Sequence, residues 1–126
     1  MARQILLVDD EAMIRMILAD VLGSMDYAVV EAASGDAALR HLDALDDYAL
    51  VITDIHMPGG IDGLELADRL ESRSPGKPLI FMTGRPDVMQ RELRRNEAFL
   101  RKPFGAEQLL RAVDDLLGRP AAAAAG

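Results

Sequence analysis

Ile5-Leu6-Leu7-Val8-Asp9-Asp10 is an uninterrupted aliphatic run that stops at a pair of carboxylates. Such runs read as strands buried on both faces, the kind found in parallel sheets covered by helices. The rest of the chain repeats the alternation. Ile14, Ile17, Leu18, Val21 and Leu22 recur at helical spacing, with Gly23 near the helix end. Tyr27-Ala28-Val29-Val30 predicts a second strand, and Ser34 is placed to cap a helix carrying Ala37, Ala38, Leu39 and Leu42. Ala49-Leu50-Val51-Ile52 predicts a third strand running into Thr53-Asp54. Asp62 with Glu65 resembles a capping box heading a third helix, which Ser74-Pro75-Gly76-Lys77-Pro78 breaks. Leu79-Ile80-Phe81-Met82 predicts a fourth strand ending at Thr83-Gly84. The stretch from Pro86 to Arg95 is weakly helical and highly charged. Ala98-Phe99-Leu100 predicts a short fifth strand, and Leu109, Leu110, Val113, Leu116 and Leu117 a final amphipathic helix.

Strand–helix repeats of this kind imply an α/β fold: a doubly wound five-stranded parallel sheet, flavodoxin-like (βα)5, with strand order 2-1-3-4-5. The 126 residues suit one domain, expected over 1–119. Pro120 ends the last helix, and 120–126 is an Ala-rich tail expected to fray. Half of the residues are hydrophobic, there is no Trp, and the core must be mainly aliphatic. The absence of Cys excludes disulfides and thiolate metal sites. No apolar run approaches the roughly 20 residues that cross a bilayer, and the N-terminus does not read as a signal peptide. A cytoplasmic protein without membrane contact is expected. The net charge of −7, with no basic face, argues against direct nucleic acid binding.

In such sheets ligands bind beyond the carboxyl ends of the strands, near the point where the winding reverses. The residues there are Asp9 and Asp10 after the first strand, Asp54 after the third, Thr83 after the fourth and Lys102 after the fifth. Taken singly, each has an ordinary reading: Asp10 caps a helix, Thr83-Gly84 makes a turn, Lys102 is a solvated charge. Their joint occurrence at four strand ends points to a site. Crowded carboxylates repel one another, and an oxygen-liganded Mg²⁺ with open positions relieves that. A carboxylate also serves as a nucleophile in phosphoryl transfer. Lys102 and Mg²⁺ would neutralise phosphoryl oxygens, and Thr83 would donate a hydrogen bond.

The segments ILLVDDE at 5–11, VITDIHMPGG…DGLEL at 51–66, FMTGR at 81–85 and FLRKPF at 99–104 resemble the receiver domains of two-component response regulators. The resemblance runs over nearly the whole chain, to about Leu117. It implies that Asp54 is the phosphoacceptor. Mg²⁺ is then held by Asp10, Asp54 and the backbone carbonyl of His56, with Asp9 assisting partly through water. Thr83 and Lys102 contact the phosphoryl group, Phe99 is the switch aromatic, and the Lys102–Pro103 bond is cis. The donor is a histidine kinase or a histidine phosphotransfer protein. The response is delivered to a downstream protein or a fused output domain. The domain catalyses only its own phosphotransfer and autodephosphorylation. His56 and Arg85 flank the phosphoryl position and are expected to tune its lifetime.

The chain departs from the family pattern in three places. The stretch from Pro58 to Asp62 carries an extra residue, so the loop is expected to bulge. The distance from Thr83 to Lys102 is shorter, so the fourth helix is expected to be short, tilted or partly unwound. Phe99 lacks the hydroxyl of a tyrosine. Met13 and Met16 flank the apolar stripe of the first helix and read equally as a docking face for a donor or as packing.

Among other classes, a haloacid dehalogenase-type phosphatase needs a second Asp two places after the nucleophile, where this chain has His56. A flavodoxin needs a phosphate loop where Asp9-Asp10-Glu11 stands. A receiver without phosphorylation chemistry is at odds with the complete set of Asp9, Asp10, Asp54, Thr83 and Lys102.

Overall fold

The structure, a computed structural model, describes residues 3–45, 47–85, 87, 89 and 91–118. The elements run β1 (Gln4–Val8), α1 (Ala12–Gly23), β2 (Ala28–Ala32), α2 (Gly35–Ala44), β3 (Leu50–Asp54), α3 (Gly63–Arg73), β4 (Leu79–Thr83), β5 (Glu97–Arg101) and α4 (Ala106–Leu117). All strand pairs are parallel and the order is β2-β1-β3-β4-β5, as expected. The expected tail and its Pro120 stop lie outside the described residues.

The side-chain period of two along each strand divides the core into two layers. Leu6, Val8, Val51, Leu79 and Phe81 point toward α2 and α3, where Leu42, Leu66 and Leu70 meet them. Ile5, Leu7, Leu50, Ile52, Ile80 and Met82 point the other way, against Leu18 and Leu22 of α1 and Leu109 and Val113 of α4. Each such side chain removed from water contributes about 1.5–3 kcal/mol before entropy is counted. Phe81 is the fully buried aromatic in this mainly aliphatic interior.

The caps follow the sequence in part. Ser34 Oγ accepts from the Ala37 N–H at 3.0 Å, and Asp62 Oδ1 from the Glu65 N–H at 2.9 Å. The second half of the expected box is diverted, since Glu65 Oε2 takes Arg69 at 2.8 Å instead. Asp10 does not cap α1. Glu11 occupies that position, and its N–H donates to Asp9 Oδ1 at 2.9 Å. Ile17, expected in the buried stripe of α1, is 53 % exposed. It stands beside Met13 and Met16 on a face that nothing covers among the described residues.

The connection from β4 to β5 is where a short, tilted or partly unwound helix was expected. Among its described residues there is no α-helix, so the described helices accompany four of the strands. The physical reason is in the composition: Val88, Met89 and Leu93 are the few apolar anchors the stretch has to offer a helix. Arginines fasten it instead. Arg91 and Arg94 both reach the Glu97 carboxylate, and Arg94 Nη2 also donates to Asp68 of α3 at 2.7 Å.

Candidate functional site

Strand register brings the site together. Val8 is paired with Thr53, so one residue further Asp9 comes beside Asp54. Thr83 is paired with Arg101, which sets Lys102 just beyond β5. The backbone joins there too, since the Lys102 N–H donates to the Thr83 carbonyl at 2.9 Å. The Lys102–Pro103 peptide is cis, as the family resemblance implied.

The β3–α3 loop fixes Asp54 from below. A Cβ on Gly63 would collide with the Asp54 carbonyl oxygen, and the Gly63 N–H donates to Ile55 O at 2.8 Å. Only a residue without a side chain brings α3 this close. The extra loop residue is absorbed at Gly59 and Gly60, whose φ values of 74° and 109° suit glycine.

Asp9 and Asp54 are buried, and Asp10 is exposed at the rim. Carboxylate oxygens of all three lie within 4.8 Å of one another. Lys102 Nζ sits between the buried pair, 3.0 Å from Asp9 Oδ2 and 3.1 Å from Asp54 Oδ2. Burial pushes the Asp54 pKa up, the Asp9 charge adds to this, and Lys102 and the His56 N–H only partly oppose it. Burial disfavours the Lys102 ammonium, but its bonds and attraction to Asp9 and Asp54 outweigh that and hold its pKa up. Among the described residues one ammonium thus meets a cluster of three carboxyl groups.

The Asp9 carboxylate is engaged at both oxygens, by Glu11 N–H and Lys102. Asp10 has no hydrogen-bond partner among the described residues. An all-oxygen donor set, half buried and half open, fits a small hard cation that retains waters. The open cleft above is lined by Asp10, Asp54, His56, Thr83, Arg85 and Lys102. The two residues expected to tune lifetime thus stand in it. Thr83 is buried at the end of β4, and its Oγ1 accepts the Arg85 N–H at 3.0 Å. Phe99 is half-buried on β5, paired in register with Phe81.

A family model of the response regulator receiver domain matches residues 5–114. The chain belongs to this family. This receiver is 38 % identical over 126 residues to the response regulator protein FleR of Pseudomonas aeruginosa, covering 96 % of this chain and 25 % of FleR. The chain thus spans about a quarter of that relative's length. A response regulator receiver protein from Sinorhizobium medicae superposes with a TM-score of 0.85 at 28 % identity, covering 92 % of this chain and 94 % of that one. The chemotaxis response regulator CheY4 of Vibrio cholerae gives 0.82 at 27 % identity, covering 93 % and 100 %. The protein is a receiver domain of the two-component response regulators, a phosphoacceptor signalling domain. Receivers bind Mg²⁺ at an acidic cluster of the kind formed here by Asp9, Asp10 and Asp54. No described helix is long and apolar enough to cross a membrane.

Sequence reasoning did not reach Arg15. It stands one turn into α1, and its guanidinium folds back onto the Asp9 carbonyl. The available signal is a lone cation on the first turn after an acidic pair.

Proposed function

We propose that Asp54 is the residue of this receiver that takes the phosphoryl group, from a histidine kinase or a histidine phosphotransfer protein. The observation that carries this is Lys102 Nζ held 3.0 and 3.1 Å from two buried carboxylates, with Asp10 open beside them. An Asp54 oxygen attacks phosphorus, the phosphorus–nitrogen bond of the donor breaks, and the imidazole leaves with the electron pair and takes a proton. The product is an acyl phosphate. Asp10, Asp54 and the His56 carbonyl would hold Mg²⁺, with Asp9 acting through Lys102 and water. When bound, the ion neutralises phosphoryl oxygens. Lys102 would supply a fixed cation from its place between Asp9 and Asp54. The Thr83 hydroxyl now donates to the Arg85 carbonyl at 3.4 Å, and it must give up that bond to donate to the phosphoryl group. That couples acceptor chemistry to the β4–β5 connection and to Phe99, and so to a protein-binding surface.

The apolar groove of Ile14, Ile17, Leu18, Pro103 and Phe104 opens beside Lys102. With exposed Met13 and Met16 it suits a donor whose histidine must reach Asp54. The receiver, residues 1–119 with 120–126 as a tail, acts in the cytoplasm, alone or joined to an output domain, without binding nucleic acid or membrane itself. Its only catalysis is its own phosphorylation and dephosphorylation.

Intact mass after incubation with acetyl phosphate tests this. One added phosphoryl group is expected with Mg²⁺, none without it, and none in Asp54→Asn. Uptake by Asp54→Asn equal to wild type sinks the assignment.

The lifetime of the adduct is the second expectation. His56→Ala and Arg85→Ala open the cleft to water, and a severalfold change in the half-life of the phosphorylated form is expected, with folding little affected because both side chains lie at the exposed rim. Unchanged half-lives in both variants remove these residues from the account.

A further inference from the structure

The exposed Asp10 is held by little except its own backbone, so the peptide linking it to Asp9 decides where its carboxylate stands. That peptide is pinned from one side. Arg15 Nη1 donates to the Asp9 carbonyl at 2.6 Å, and Nε donates to Glu31 Oε1 on β2 at 3.2 Å. The Arg15 side chain is 16 % exposed, laid back over the end of β1 instead of extending into solvent. Asp9 is then fixed at every polar atom: its N–H donates to Ala32 O at 3.1 Å, Oδ1 takes Glu11, Oδ2 takes Lys102 and the carbonyl takes Arg15. A partly exposed arginine–glutamate pair alone does little for stability. The bond to the carbonyl is different in kind, because it orients the one peptide from which a candidate metal ligand hangs. Groups that orient ligands from behind typically account for tenfold or more in metal affinity.

We propose that Arg15 is a positioning residue for the cation site: by holding the Asp9 carbonyl it fixes the Asp9–Asp10 peptide, and with it the Asp10 carboxylate, in the arrangement that accepts Mg²⁺. The inference rests on the Mg²⁺ reading above. Glu31 serves as the anchor that keeps the guanidinium turned toward Asp9. A lysine at this position supplies one donor direction at a time and loses the fork that serves both oxygens.

The test is calorimetric titration of Mg²⁺ into the wild type, Arg15→Met, Arg15→Lys and Glu31→Gln, with the metal-free melting temperature of each. Arg15→Met keeps the stem and removes every donor. Its Mg²⁺ affinity is expected to fall about tenfold. Arg15→Lys, which still reaches the carbonyl, is expected to lie between it and the wild type, and Glu31→Gln, which keeps an acceptor for Nε, near the wild type. A lowered melting temperature with wild-type Mg²⁺ affinity in Arg15→Met makes Arg15 a structural tie only and overturns the proposal. Tighter binding in Arg15→Met also overturns it, since the guanidinium would then act as a repelling charge. A wild type that binds no Mg²⁺ brings down the metal reading and this inference together, whereas the first two outcomes bring down this inference alone.

Discussion

Replacing Lys102 with alanine is expected to lower the stability of the metal-free receiver at pH 7 by about 3 kcal/mol, the low end of what breaking a buried ion pair costs. Lys102 Nζ is the one cation in contact with both Asp9 and Asp54 among the described residues, and its side chain is 21 % exposed. Its loss leaves two buried carboxylates facing each other. Burial and the Asp9 charge already hold the Asp54 pKa up, and in the variant only the His56 N–H opposes the rise. A carboxyl group with a folded pKa above its unfolded value, about 3.9 for Asp, favours the fold below that value. That contribution disappears as pH rises through the folded pKa. The variant should therefore lie closest to wild type in mild acid and furthest below it at neutral pH. The raised Lys102 pKa does not enter this window, since its contribution is lost only in strong alkali. Asp54→Asn should move the other way and gain stability at pH 7 without metal. Urea unfolding between pH 4 and 8 in the absence of Mg²⁺ measures both. A loss in Lys102→Ala that is the same at every pH would mean that only packing had been removed.

Most of the site was legible because parallel strands buried on both faces announce themselves as apolar runs with abrupt polar ends. The ends of β1, β3, β4 and β5 name Asp9, Asp54, Thr83 and Lys102 without help from tertiary structure. What was not legible depends on side chains that meet across the chain. Arg15 and Glu31 are 16 residues apart, and each alone reads as a solvated charge on its element. Ile17 matches the spacing of a buried stripe, but β1 and α4 reach only one side of α1, so Leu18 and Leu22 fill the contact and Ile17 is left outside. Asp10 looked like a helix cap from its position. The backbone instead places Glu11 there, which leaves Asp10 free. The β4–β5 connection shows the same limit. Its charge discourages a helix, which sequence does suggest, but the partner that fastens it is Glu97, a residue that reads only as the polar start of a strand.

Glu97 is the second position where one substitution should have a large effect. Its side chain is 2 % exposed and accepts from Arg91 Nη1 at 2.7 Å, Arg91 Nη2 at 2.9 Å, the Arg94 N–H at 2.8 Å and Arg94 Nη1 at 3.1 Å. The Arg91 guanidinium also lies 5.5 Å from the centre of the Phe81 ring. A cation thus covers the sheet where a helix would otherwise pack. Glu97→Gln keeps the volume but leaves the partly buried Arg91 without a counter-charge and Arg94 with Asp68 alone, and a loss of about 3 kcal/mol is expected. In a domain of ordinary stability that is a large share of the total. The pH dependence carries the opposite sign to that of Asp54. Burial raises the Glu97 pKa, but the bonds and charges of Arg91 and Arg94 outweigh it and leave the pKa lowered. The stabilisation is then complete above the unfolded value of about 4.3 and is lost as pH falls through the folded one. Wild type should therefore lose its advantage over Glu97→Gln in acid, which urea unfolding from pH 7 to pH 3 reads directly. The same pin should control the connection that Thr83 must release. The Glu97 N–H donates to Arg94 O at 3.0 Å and the Leu79 N–H to Asn96 O at 3.1 Å, so faster hydrogen exchange at these two amides should report the unfastened segment. If Glu97→Gln stays within about 0.5 kcal/mol of wild type, the range of an ordinary surface change, Arg91 holds the segment by packing on Phe81 and not by charge.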